Sequence, residues 1–447
     1  MRRAQLRSPR TTHAIQTLHV VILGNGITGA SAAVRLRELR PDWQITMISG
    51  ESAHPYSRPA LMYVFIGHMR YQDTKLQEDS FWPKQRIDLV RDWAVELDAP
   101  AKRLRLHRGG ELTFDRLLLA TGSKPNRFDW PGQDLRGVQG LYGLMDLKLL
   151  HDNCEGARQA VIVGGGLIGI ELAEMLHSRG IHPTLLVREP AYWSNVLPED
   201  EARMVGRAID AAGIGLRLES ELAEIVDDGT GRAGAIVTKA GERLEAQIVG
   251  LTAGVSPNLD LVGDTQIECE RGVLVDDGLR TSAEDIWAAG DCAEIRREGD
   301  ERNLLQQVWY TGRLQGRLVA ESIAADSRAA GAAPSYDPGL WYNSAKFLDL
   351  EYQTYGEVRP GGRGQESLWW QHESRQMGMR IALAEGDRVA GFNVVGLRYR
   401  HEVCRRWLSE GRGLDYVLDH LGEANFDPEF EPRFEPTMAT SMRGARP

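Results

Sequence analysis

Cysteine is scarce in this chain. Cys154, Cys269, Cys292 and Cys404 are the only four in 447 residues, and no two lie close in sequence. That spacing excludes a local Cys-x-x-Cys redox pair, offers no zinc or iron–sulfur ligand set, and points to a reducing, cytoplasmic compartment. Long hydrophobic runs are missing too. None approaches the roughly 18 to 20 apolar residues that a spanning helix needs, so no membrane association is expected. Positive charge is in deficit, with 53 Lys and Arg against 63 Asp and Glu and a net charge of −10. Phosphate-backbone binding needs a basic surface, which argues against nucleic acid as a general partner. Residues 1–17 carry Arg2, Arg3, Arg7 and Arg10 but no acid and no apolar h-region. They read as a flexible leader, with a targeting segment as the alternative.

What is present is length, core and glycine. A chain of 447 residues exceeds one ordinary domain, and 42% hydrophobic residues supply ample core. Its 48 glycines suit an α/β protein with many tight turns. The organising stretch is 18–35, where the apolar run Leu18 to Leu23 meets Gly24-Asn25-Gly26-Ile27-Thr28-Gly29 and then a helical pattern. This is a dinucleotide cradle: Gly24 for the tight turn, Gly26 for backbone approach to a pyrophosphate, and Gly29 for packing of helix on strand. Free N–H groups at the helix start face the anion. One such pattern is weak evidence, but it returns 140 residues later as Gly164-Gly165-Gly166-Leu167-Ile168-Gly169, again between a β-branched run and a helix. Two cradles in one chain imply electron transfer between two cofactors.

An acid after the second strand of such a unit holds a ribose hydroxyl. After Gln44 to Ile48 the strict position holds Ser49, and the nearest acid is Glu51, a ribose ligand or a surface carboxylate. After Pro183 to Val187 come Arg188 and then Glu189. A carboxylate favours NADH and an arginine admits NADPH, so the order leaves the coenzyme open. Arg58, in the Pro-rich turn Pro55-Tyr56-Ser57-Arg58-Pro59, suits a guanidinium reaching a pyrophosphate.

At that turn the chain resembles the pyridine nucleotide-disulfide oxidoreductases, flavoproteins with two dinucleotide-binding domains. The nearest likeness is to the rubredoxin, ferredoxin and nitrite reductase branch, whose members carry Pro-Tyr-x-Arg-Pro-x-Leu. The resemblance covers residues 18 to about 330 and includes the turn Ala120-Thr121-Gly122 and the stretch Asp285 to Glu294. It implies that Arg58 contacts FAD, that Ala120, Thr121 and Gly122 lie at a crossing between domains, and that Gly290 and Asp291 hold the ribityl chain or adjoining phosphate. It also implies that Glu171 faces the nicotinamide and flavin as a catalytic acid; the alternative is a helix N-terminal Glu favoured by the dipole. Many relatives have Ser-Lys where this chain has Met62-Tyr63, a departure at the flavin-side lysine. Cys292 reads as a buried small hydrophobe.

The implied fold is α/β, with two Rossmann-like domains for FAD and NAD(P) and an α+β C-terminal interface domain. The expected division is 18–131 and 256–332 for FAD, 132–255 for NAD(P), and 333–447 for an interface or partner domain. A helix is expected over Asn303 to Ser322, beneath the flavin, and another over Arg398 to Ser409. The cluster Arg398, Arg400, His401, Arg405 and Arg406 reads as a solvated helix face or as a dock for an acidic carrier.

Disulfide-reducing relatives need cysteine shortly after the first cradle, and residues 30–70 contain none. Electrons must therefore leave the flavin directly. The function that follows is an FAD-dependent NAD(P)H oxidoreductase feeding a small ferredoxin- or rubredoxin-type carrier, with a homodimer as a further implied partner. The alternatives are a two-electron reductase or oxidase of a small molecule, and a nucleotide-responsive flavoprotein acting as a regulatory binder.

Overall fold

A computed structural model describes residues 17–297, 299, 302–325, 334–360, 364–430 and 432–445. The leader, but for Thr17, and the expected boundary at 332/333 lie outside them. The chain divides into two compact units. One contains residues up to Tyr56, Leu76–Gly122 and Asn258–Tyr336; the other contains Ser57–Lys75, Ser123–Pro257 and the chain from Asp337 onward. Ser57–Lys75, drawn from sequence into the 18–131 stretch, thus falls in the second unit.

The first unit is built on a five-stranded parallel sheet in the order Ile286–Ala288, Arg116–Leu119, His19–Leu23, Gln44–Ile48, Ile87–Val90. Val20, Val21, Ile22, Leu117 and Leu118 are fully buried, because a parallel sheet covered on both faces needs near-continuous apolar strands. Helices Ile27–Leu39 and Trp309–Ala324 lie against each other, and glycine is what lets them approach. A Cβ on Gly316 would stand 2.4 Å from the Thr28 carbonyl oxygen, and one on Gly312 would stand 2.9 Å from Thr28 Oγ1.

The second unit repeats the design with a parallel sheet in the order Gly215–Arg217, His182–Leu186, Gln159–Val163, Ile248–Leu251, Val138–Gln139. It also carries an antiparallel sheet in the order Tyr342–Phe347, Leu350–Gly356, Val389–Val395, Gly378–Leu383, Ser367–Gln371. Helices His401–Ser409, Leu414–His420 and Glu435–Gly444 share the apolar core of that sheet, where Phe392, Trp407 and Met438 are buried. A buried charge network ties this sheet to helix Glu199–Ala211: Arg380 donates to Glu201 at 2.8 and 2.9 Å and to Asp200 at 2.7 Å.

Two expected helices start late. Leu304–Leu305 pairs antiparallel with Glu294 and Ile295, so the backbone there is already spent and the helix begins at Trp309 instead of Asn303. Arg398 and Arg400 exchange backbone hydrogen bonds with Phe426 and Ala424, and the Tyr399 N–H donates to Gln353 Oε1. The second helix accordingly begins at His401.

Candidate functional site

Each cradle is assembled locally. In the first unit, Gly24 has φ +108°, and a Cβ there would stand 2.0 Å from the Ala120 carbonyl oxygen. Only glycine fits a left-handed turn pressed against the neighbouring strand end. A Cβ on Gly29 would meet the Gly24 oxygen at 2.0 Å, whereas one on Gly26 meets nothing within 4 Å. The first glycine therefore makes the turn, the third seats helix Ile27–Leu39, and the middle one faces open space at the helix N-terminus, where a pyrophosphate fits.

Around that opening, Asn25 is buried and donates to the Ser52 carbonyl at 3.0 Å. Glu51 accepts from the Tyr56 hydroxyl at 2.5 Å, which aims its carboxylate. The Ala120 N–H donates to Leu23, and Thr121 Oγ1 donates to the Asn258 carbonyl at 2.9 Å. Gly122 has φ +72° and accepts from the Asn258 N–H at 2.8 Å. Gly290 has φ +81° and lies so close to Thr28 that a Cβ would stand 2.4 Å from Oγ1. Its N–H donates to Gln315 at 2.7 Å, which holds the Gly290–Cys292 turn and with it Asp291.

In the second unit, Gly164 has φ +135°, and a Cβ there would stand 2.5 Å from the Thr252 oxygen. Gly169 approaches the Gly164 oxygen, and Gly166 faces open space. The Tyr192 hydroxyl, fully buried, donates to the Gly166 carbonyl at 2.7 Å and stiffens the loop. Glu189 lies beside the loop, its Oε2 3.5 Å from where a Gly165 Cβ would be, while Arg188 points outward at 75% exposure and pairs with Glu189 at 2.9 Å.

Glu171 follows Gly169 on helix Leu167–His177. Burial, reinforced by the neighbouring Glu174, pushes its carboxyl up to about 7. Tyr63 lies within electrostatic reach of Glu171, Glu174 and Glu351, and its phenol is raised by burial and by those acids in turn. The place where relatives have lysine thus holds a neutral phenol beside acids. Arg58 lies in the second unit, donating to the Tyr142 carbonyl at 3.1 Å with its guanidinium 4.4 Å over that ring.

The expected cationic cluster is narrower than its residue count. All four arginines are exposed, but Arg398 pairs with Glu351 and Arg406 with Glu423, and His401 packs on Tyr342 and Tyr355. Burial is the main influence on all four thiols and raises each, Cys404 to about 12, so none is a ready thiolate. Among the described residues no group of three His, Cys, Asp or Glu could hold a metal.

Two cradles of this geometry, each at the carboxyl end of its own parallel sheet, define a flavoprotein with two dinucleotide sites. The chain belongs to the pyridine nucleotide-disulphide oxidoreductase family, whose sequence model matches residues 18–316. It is an FAD-dependent NAD(P)H oxidoreductase. A rubredoxin-NAD(+) reductase from Pseudomonas putida is 30% identical over 319 residues, covering 71% of this chain and 83% of that protein. A terpredoxin reductase from a Pseudomonas species is 31% identical over 391 residues, covering 86% and 94%. Among solved structures, an NAD-dependent persulfide reductase from A. fulgidus shares the fold, with TM-score 0.82 at 22% identity, covering 96% of this chain and 83% of that one.

Sequence reasoning missed Tyr192 and the acidic setting of Tyr63. The only signal for the last was the substituted lysine position.

Proposed function

We propose that this chain takes reducing equivalents from NADH and passes them through FAD to a small rubredoxin- or ferredoxin-type carrier protein. The observation that carries the reading is the pair of glycine cradles joined to a chain whose cysteines are all raised and none of which falls in residues 30–70. FAD supplies a centre that accepts two electrons together and releases them singly, which suits one-electron carriers. The carrier class matches that of the relatives, a rubredoxin-NAD(+) reductase and a terpredoxin reductase.

The residues take these parts. Gly24, Gly26 and Gly29 with the following helix N-terminus receive the FAD pyrophosphate, Glu51 accepts from the adenosine ribose, and Asp291 accepts from the ribityl hydroxyls. Ala120, Thr121, Gly122 and Gly290 keep the surrounding turns compact; Arg58 belongs to the second unit, where it is held on Tyr142. Gly164, Gly166 and Gly169 receive the NADH pyrophosphate. Glu189, inward beside the cradle, accepts from the 2′-hydroxyl and repels a 2′-phosphate, while Arg188 is held outward by its ion pair; the arrangement favours NADH. Glu171, able to hold a proton near neutrality, adjusts charge at the reacting end.

Anaerobic addition of NADH should bleach the yellow protein, and an added ferredoxin should then be reduced, with salt slowing only the second step. No bleaching with NADH would overturn the reading. Bleaching followed by salt-independent turnover of a small acceptor, without any carrier, would replace the proposed acceptor.

A further inference from the structure

One large aromatic side chain stands in solvent beside the first cradle. Trp93 follows strand Ile87–Val90 by three residues and is 55% exposed. The backbone that carries it is held in place. Asp92 Oδ1 accepts from the Trp93 N–H at 2.8 Å, Asp92 Oδ2 accepts from the Arg108 N–H at 3.4 Å, and the Trp93 carbonyl accepts from the His107 N–H at 2.8 Å. The ring lies on Gly50. A Cβ there would stand 2.0 Å from both Cδ2 and Cε2 and 2.4 Å from Cγ, three atoms of the indole plane met together, so a face and not a rim covers the glycine. Any side chain at position 50 would evict it.

Gly50 immediately precedes Glu51, and both follow strand Gln44–Ile48 at the carboxyl end of the parallel sheet, where open α/β sheets bind their ligands. A ribose held by Glu51 carries its base within a few ångströms. An exposed indole with one face on Gly50 offers the other to a planar ring at the usual contact separation of about 3.5 Å.

We propose that Trp93 is the platform on which the adenine of FAD stacks, and that Gly50 is glycine so that the indole can lie there. The proposal rests on the reading of the first cradle as the FAD site. Stacking on an aromatic face needs no hydrogen-bond readout of the base, so the platform adds affinity for the adenosine half of the cofactor without touching the flavin.

The test uses the full-length protein stripped of flavin and titrated with FAD and, separately, with FMN, which shares the flavin but lacks adenosine. Trp93→Ala should raise the FAD Kd roughly 5- to 150-fold, the effect of deleting an aromatic platform under one base, and leave the FMN Kd within about twofold. Trp93→Phe should recover most of the loss, and Gly50→Ala should match Trp93→Ala by displacing the ring. FAD but not FMN should quench the emission difference between wild type and Trp93→Phe. An unchanged FAD Kd in Trp93→Ala, or an equal loss for FAD and FMN, overturns the platform. A wild-type chain that binds no flavin would instead overturn the flavoprotein reading on which it rests.

Discussion

The two cradles are the same device put to different uses. In both, the first glycine has a positive φ and presses on a carbonyl of the adjacent strand end, Ala120 in one and Thr252 in the other. In both, an acid stands three residues past the second strand, Glu51 after Ile48 and Glu189 after Leu186. They diverge two residues beyond the third glycine. The first cradle has Ser31 there, its Cβ 3.0 Å from where a Gly316 Cβ would be, pressed beneath helix Trp309–Ala324. The second has Glu171, whose proton affinity is raised by burial and, less, by the neighbouring Glu174. On the proposed roles, the first cradle with its close helix packing suits a cofactor that stays bound, and the second with its ionisable Glu171 suits one that arrives, reacts and leaves.

The largest effect that would break this equivalence comes from the turn glycines. Gly24→Ala forces a Cβ to 2.0 Å from a backbone oxygen at φ +108°, a strain of about 3 kcal/mol or more, so the protein should purify without flavin colour. Gly164→Ala should instead keep its colour and lose bleaching by NADH. Both are read from the visible spectrum.

Next comes the acid of the second cradle. Glu189→Gln removes a charge-assisted hydrogen bond of about 1.5 to 3 kcal/mol, so kcat/KM for NADH should fall roughly 10- to 150-fold. The value for NADPH should hold or rise, and steady-state kinetics with both coenzymes check it. Equal losses would show that Glu189 supports the fold only.

Ser31→Glu sharpens the contrast from the other side. Placing the second cradle's acid under the first cradle's glycine-lined helix should cost about 1 to 3 kcal/mol by overpacking, seen as a lower urea midpoint.

The smallest effect is that of Glu171. Because its folded pKa is raised to about 7 from the ordinary carboxylate value of 4.5, stability linked to its proton is present below that ordinary value and lost as pH rises through 7. Glu171→Gln should therefore be more stable than wild type at pH 8 by about 1 to 2 kcal/mol, its partial exposure limiting the gain, and equal to it near pH 4. The rate of flavin reduction by NADH should show an inflection near neutrality that the variant lacks. Urea melts and stopped-flow traces across pH measure the two.

Contiguous patterns were readable in advance. Gly24 to Gly29 and Gly164 to Gly169, the strands before them and the helices after them lie within a few residues of each other, and the steric demand of each turn falls on glycine alone. The aromatic tail was readable as strands from its alternation, as at Ser367–Gln371 and Val389–Val395. Helix starts were misjudged where a preceding segment found a better hydrogen-bond partner elsewhere. Leu304 and Leu305 are helix-compatible residues, and only the presence of Glu294 and Ile295 alongside makes them a strand.

By itself, the amino-acid order determined that this is an α/β chain with two nucleotide cradles and no sulfur relay, because those properties reside in local sterics and in the absence of a residue type. Tertiary structure alone decided that Trp93 lies on Gly50, that Tyr192 braces Gly166, that Tyr63 stands among Glu171, Glu174 and Glu351, and that Arg398 is matched by Glu351. Each of these joins residues tens to hundreds of positions apart, and burial, pKa and orientation are properties of what surrounds a side chain in space.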